Sequence, residues 1–193
     1  MTSFEFVFSL LVIVLGLGLS HLFGGLAAAV KRRPGLKIGW GTGLLATWVT
    51  TETVIFWEVL WRTRNDLPFG SPALFVGLGI TALYYFAAAL VFPDDLAERT
   101  TLDDHFMAEK GKAIAAILVA FALAVVLRPL VLGSASWSFF SLGDWASLAI
   151  IYVVGPAAIL TRRRQVAIGC LAVLVVVDLL EPLGQSLLPQ FFF

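Results

Sequence analysis

Residues 4–30 read FEFVFSLLVIVLGLGLSHLFGGLAAAV, with one acid, Glu5, and one histidine, His21, before the basic run Lys31-Arg32-Arg33. A helix needs about 20 mostly apolar residues to cross a hydrocarbon layer of about 30 Å, and this stretch has them. It is too long for the core of a cleaved signal and ends in Gly24-Gly25-Leu26-Ala27 ahead of a basic loop, so it reads as a retained helix. Runs of the same kind follow at Ile38 to Trp61, Ser71 to Phe92, Ala113 to Leu132, Trp145 to Thr161 and Val166 to Leu188. A backbone in lipid must satisfy its own hydrogen bonds, so each run is expected to be helical. The expected fold is therefore all-α: a polytopic transmembrane bundle of six spans, residues 1–193 forming one domain.

Composition agrees. The 193 residues are 60% apolar and 13% charged, with a mean hydropathy of +0.94, against about 45–50% and about 25% in soluble domains. Thirteen Lys and Arg balance thirteen Asp and Glu, which leaves no basic field for nucleic acid. The single cysteine, Cys170, excludes a disulfide framework and a thiolate zinc site.

Orientation follows from the basic residues, because short basic loops stay in the cytoplasm. Loop 1 holds Lys31, Arg32, Arg33 and Lys37; loop 3 holds Arg99, Lys110 and Lys112; loop 5 holds Arg162, Arg163 and Arg164. Loop 2 has Arg62 and Arg64, and the remaining cation, Arg128, lies inside span 4. Loops 1, 3 and 5 are thus expected in the cytoplasm and both termini outside. Loop 3 is the one sizeable extramembrane segment. Its acids precede its bases and Thr101 stands three residues before Asp104, a pattern that suggests a short cytoplasmic helix over about 94–112, leading into span 4.

Helices in a bilayer associate where small residues let backbones approach. Stripes at four-residue spacing run through Gly16, Ser20, Gly24 and Ala28; Gly39, Gly43, Thr47 and Thr51; Ala73, Gly77, Thr81 and Tyr85; and Ala116, Ala120 and Ala124. Gly18, His21 and Gly25 form a second stripe on span 1, which places that span at the centre of the expected bundle.

An ionisable group inside a bilayer costs from about 2.5 to over 10 kcal/mol by different methods, so it faces a partner or water. Glu52, Arg128, Asp178 and Glu181 fall near one level in the outer half of their spans. Arg128 extends the Ala116, Ala120, Ala124 stripe by four, and Asp178, Glu181 and Gln185 share a face of span 6. Pro182 leaves the Asp178 carbonyl without its helical donor. Two readings stand open: an outward-facing polar pocket for a proton, cation or polar substrate, or an ion pair between Arg128 and a carboxylate that fixes helix register. Glu58 and Arg62 lie above this level, at the outer interface.

His21 is expected to be a packed, hydrogen-bonded residue, because the only other histidine, His105, sits in loop 3 and no second metal or haem ligand is near. The loop 3 acids match no metal-binding spacing and read as a solvated face. No cofactor, metal site or catalytic residue is expected, and no nucleophile motif or phosphate loop is present.

Leu15-Gly16-Leu17-Gly18-Leu19-Ser20-His21-Leu22-Phe23, taken with Phe92-Pro93-Asp94-Asp95-Leu96 and Leu102-Asp103-Asp104-His105-Phe106, resembles a group of small uncharacterised bacterial six-helix integral membrane proteins. The resemblance covers about the first 110 residues. It implies a bacterial inner-membrane location and supplies no activity.

Two functions fit these features: a small cation- or proton-responsive transporter or channel acting as a homo-oligomer, or a non-catalytic scaffold, assembly factor or sensor holding a protein partner at residues 93–112. A lipid headgroup enzyme ranks below both, because no nucleophile stands at the outer face. The ten-to-two division of loop cations yields a direct test. Reporter fusions at Arg33 and Arg163 are both expected to report the cytoplasm, and an external signal at either overturns the topology.

Overall fold

The computed structural model describes residues 3–32, 35–63, 71–96, 101–132 and 142–187, and within them the side chains of 7–32, 35–63, 74–96, 101–127 and 143–180. These residues form six α-helices: α1 (Ser3–Lys31), α2 (Trp40–Arg62), α3 (Ser71–Ala89), α4 (Asp103–Leu132), α5 (Leu142–Leu160) and α6 (Arg164–Leu187). All six expected runs are helical. Three are long and apolar enough to cross a membrane: Val7–Lys31, Asp103–Leu127 and Gly143–Leu160. The described apolar part of α3, Leu74–Ala89, is shorter.

α2 carries four threonines whose hydroxyls donate to the carbonyl one turn back: Thr47 to Gly43, Thr50 to Ala46, Thr51 to Thr47 and Thr53 to Val49, at 2.7–3.0 Å. Hydroxyls satisfied within their own helix require no water, so a threonine-rich helix tolerates apolar surroundings.

The expected loop 3 helix over 94–112 is corrected in its first half. Residues 93–96 are not helical and 97–100 lie outside the described residues; the helix starts at Asp103 and is continuous with α4. Its start follows the expected cap. The Thr101 hydroxyl accepts the Asp103 N–H at 3.2 Å, and Asp103 and Asp104 occupy the first turn, where the helix dipole favours acids.

α1 packs on α3, α3 on α4, α4 on α5, α5 on α6 and α6 on α2, while α2 also touches α1, α3 and α4. The central helix is therefore α2, and the expected central place of span 1 is corrected. α1 lies outside, held chiefly by α3 in a parallel register. A Cβ on Gly77 would meet Leu11 at 2.9 Å, one on Gly18 would meet the Tyr85 backbone at 3.2 Å, and one on Gly25 would meet Phe92 at 2.7 Å. Both partners advance by about two turns from one contact to the next, so the helices run side by side in the same direction. Among the described residues the close α1–α3 contact has no comparable counterpart between α4 and α6.

The small-residue stripes divide. Gly77 and Thr81 on α3, and Ala116 and Ala120 on α4, are buried. Gly16, Ser20, Gly24 and Ala28 are exposed, with open space beside Gly16 and Gly24, and on α2 there is open space beside Gly43 and Thr47 is exposed. The expectation of four internal seams thus holds for the middle of the α3 stripe and for α4; Tyr85, which ends the α3 stripe, faces outward, and the Ala73 side chain lies outside the described residues. Large apolar side chains face outward on every helix, among them Ile13, Val54, Phe86, Val119, Val153 and Val176.

Adjacent glycines on α1 separate packing from exposure. Gly25→Leu is expected to destabilise the fold by about 1–3 kcal/mol through collision with Phe92, whereas Gly24→Leu, next to open space, changes little. Thermal unfolding of both variants in one detergent checks this, and equal midpoints refute the α1–α3 register.

Candidate functional site

The buried polar side chains among the described residues are Thr42, Glu52, Thr53, Thr81, Lys110 and Asp178. Glu52 is 0% exposed and Asp178 2%. They stand on α2 and α6, packed neighbours that both begin at one end of the bundle. Glu52 lies twelve residues past Trp40 and Asp178 fourteen past Arg164. At about 1.5 Å per residue these are rises of about 18 and 21 Å, so the two carboxylates sit at nearly one height. Tyr84, buried on α3, lies within electrostatic range of Glu52, Asp178 and Tyr152.

The surrounding walls are aromatic. Trp48 and Phe56 stand one turn to either side of Glu52 on the buried face of α2, and the Phe56 ring stacks on Tyr84 with centroids 5.0 Å apart. The Trp48 indole N–H is buried without a hydrogen-bond acceptor among the described residues. Opposite, the Tyr152 hydroxyl donates to the Leu118 carbonyl at 3.1 Å and joins α5 to α4. Of the aromatic pair Tyr84-Tyr85, Tyr84 belongs to this centre and Tyr85 faces outward.

The side chains of Arg128 and Glu181 lie outside the described residues; their backbones belong to α4 and α6. Glu58 is partly exposed and pairs with Arg62 at 2.6 Å, away from Glu52. His21 is corrected. It is exposed beside Tyr85, ring centroids 6.5 Å apart, instead of being packed, and has no hydrogen bond among the described residues. The reason is the rotation of α1, which turns Leu15, Gly18 and Leu22 inward and His21 out.

Two groups escaped the reading of the sequence. Lys110 is only 3% exposed, and its ammonium donates to the carbonyls of Ala158, Ile159 and Thr161 at 2.6, 3.2 and 3.1 Å. It closes the C-terminal end of α5 from the side of α4, where a cation meets both unsatisfied carbonyls and the negative end of the dipole. Its signal was present, since Phe106, Lys110, Ala113, Ile117 and Ala120 follow one buried stripe of α4. Asp103 is the second. Its carboxylate pairs with Arg164 at 2.7 Å and lies against Gly39, where a Cβ would collide with it. Nothing local in the sequence separates Asp103 from the other acids of loop 3.

Three of the other acids, Asp94, Asp95 and Glu109, line a shallow cleft of about 450 Å³ together with Leu90, Pro93, His105 and Lys112 among others. Lys112 pairs with Glu109 at 2.8 Å, and the His105 Nε2 lies 3.1 Å from the Leu90 carbonyl oxygen. Among the described residues no three His, Cys, Asp or Glu side chains gather into a metal-holding group.

A helical membrane protein with two enclosed carboxylates at its centre is the class that fold and site define. Comparison of the chain with protein-family models, curated proteins and solved structures finds no match.

Lys110→Met keeps the length of the stem and removes the ammonium. It is expected to cost about 1–3 kcal/mol, because three carbonyls lose a charged donor, while Lys110→Arg retains part of the loss. Unfolding midpoints of the two variants measure the difference.

Proposed function

We propose that this protein is a six-span membrane protein of the bacterial inner membrane, in which Glu52 and Asp178, with Arg128 and Glu181 of the same level, form a proton- or cation-responsive site. The observation that carries this reading is the enclosure of two carboxylates from different helices at one height, within electrostatic range of the buried Tyr84. Charge taken into low dielectric is costly unless compensated, so a site with more acids than cations responds to the arrival or departure of a proton or metal cation. Arg128 is the compensating cation in this reading, and the remaining carboxylate capacity takes the transported or sensed ion.

All six helices span in this reading, including α2, α3 and α6, because each presents large apolar side chains outward. Loops 1, 3 and 5 lie in the cytoplasm and both termini outside. Six helices of this length make a small unit, and a homo-oligomer supplies the larger assembly that a conducting path requires. The alternative, a non-catalytic scaffold or assembly factor with a partner at residues 93–112, is favoured by one observation. The end of loop 3 is tied to loop 1 by a bridge between Lys37 and Thr101, and to the start of α6 by the Asp103–Arg164 pair, so residues 101–103 are held in a defined place.

The two readings part in reconstituted vesicles. Proton or cation flux above that of empty vesicles, lowered at least tenfold by Asp178→Asn or Glu52→Gln with folding retained, is the expected result. Equal flux in wild type, both variants and empty vesicles moves the assignment to the scaffold.

A further inference from the structure

The end of the bundle where α2, α4 and α6 begin is ringed by cations. Lys31, Arg32, Lys37, Arg162 and Arg163 are all exposed there. The other described cations are engaged: Arg62 with Glu58, Lys112 with Glu109, Arg164 with Asp103, and Lys110 with three carbonyls. The five ring cations have no side-chain partner among the described residues. They share one surface, because the backbone N–H of Leu102 donates to the Lys37 carbonyl at 3.2 Å and Asp103 reaches both Gly39 and Arg164. The α5–α6 turn is short and shaped, with the Arg163 N–H donating to the Thr161 hydroxyl at 3.2 Å.

Directly beside these cations stand the two most exposed large apolar side chains of the described residues, Trp40 at 79% and Leu160 at 80%, with Val166 near them on the first turn of α6. A partner that satisfies this belt carries negative charge and offers an apolar medium at the same place. A soluble acidic protein or a nucleic acid does the first and leaves Trp40 and Leu160 in water. An anionic phospholipid does both, with its phosphate at the cations and its acyl chains below them, and a guanidinium binds a phosphate through two parallel hydrogen bonds.

We infer that Arg162 and Arg163, supported by Lys31, Arg32 and Lys37, bind the headgroups of anionic phospholipids in preference to zwitterionic ones. Arg164 is already used by Asp103, which leaves the other two arginines of the turn for the lipid. The inference is independent of the buried carboxylates, and it holds for either face of the membrane.

The test uses the full chain in a neutral detergent, titrated with phosphatidylglycerol or phosphatidylcholine, reading the lipid retained by native mass spectrometry and the shift in unfolding midpoint. Phosphatidylglycerol is expected to bind and stabilise, and phosphatidylcholine is not. Replacing both arginines, Arg162→Gln with Arg163→Gln, lowers the affinity about 25-fold, since each cation near an anionic surface contributes roughly a factor of five. Lys31→Gln with Arg32→Gln lowers it comparably and carries the test if the first pair misfolds, while Arg62→Gln, at the far end of α2, leaves it unchanged. Equal binding of the two lipids, or wild-type binding by both double variants, overturns the inference. Equal stabilisation by inorganic phosphate alone replaces it with a small-anion site, and tighter binding of polyglutamate replaces it with an acidic protein partner.

Discussion

Asp103 joins three helix starts. Its carboxylate reaches Arg164 at the first turn of α6 and rests against Gly39 at the start of α2, while its own N–H is taken by Thr101 at the start of α4. With these ends held together, heights along α2 and α6 are counted from one base, and Glu52 and Asp178 arrive at nearly one level. The position of the buried centre is therefore set from the end of the bundle, by a charge pair partly open to solvent. An exposed pair contributes little stability by itself. Asp103 is about one-fifth exposed and touches backbone, so its part lies in alignment more than in energy.

Lys110 performs the same office between α4 and α5. A lone ammonium in an apolar bundle is costly, yet here three carbonyls surround it. Those carbonyls needed donors, because the last turn of a helix leaves them unpaired. One residue thus removes two penalties. Glu52 and Asp178 differ from Lys110, since they stand about 18 and 21 Å along α2 and α6, away from the ends of their own helices. This difference separates a buried charge that fastens a helix end from the two buried carboxylates of the proposed site.

Small residues act in two ways in this protein. Gly18 and Gly25 let α3 approach α1 until the Tyr85 backbone and the Phe92 ring fill the place of a side chain. Gly16 and Gly24, on the same helix, face open space. The spacing of four is identical, but the stripe that packs is the one that continues the heptad-like series Leu11, Leu15, Gly18, Leu22, Gly25 and Ala29. Close packing in lipid is won by shape, with knobs beside the gaps. A glycine row without large neighbours in register has nothing to receive.

By itself the sequence determined the six helices, the cap at Thr101 and the depth of Glu52 and Asp178 in their helices. These features depend on local chemistry: an apolar run must satisfy its own backbone, a hydroxyl accepts from the first helical N–H, and rise per residue is constant. Only the tertiary structure decided that α2 is central and α1 peripheral, that Tyr84 turns inward while Tyr85 and His21 turn outward, that Lys110 is buried, and which loop acid binds Arg164. In a chain apolar on nearly all sides, hydrophobic periodicity does not mark the inner face. Lipid accepts the same side chains as the core, so the choice passes to the fit between facing helices, and that fit belongs to pairs of helices instead of to any one of them.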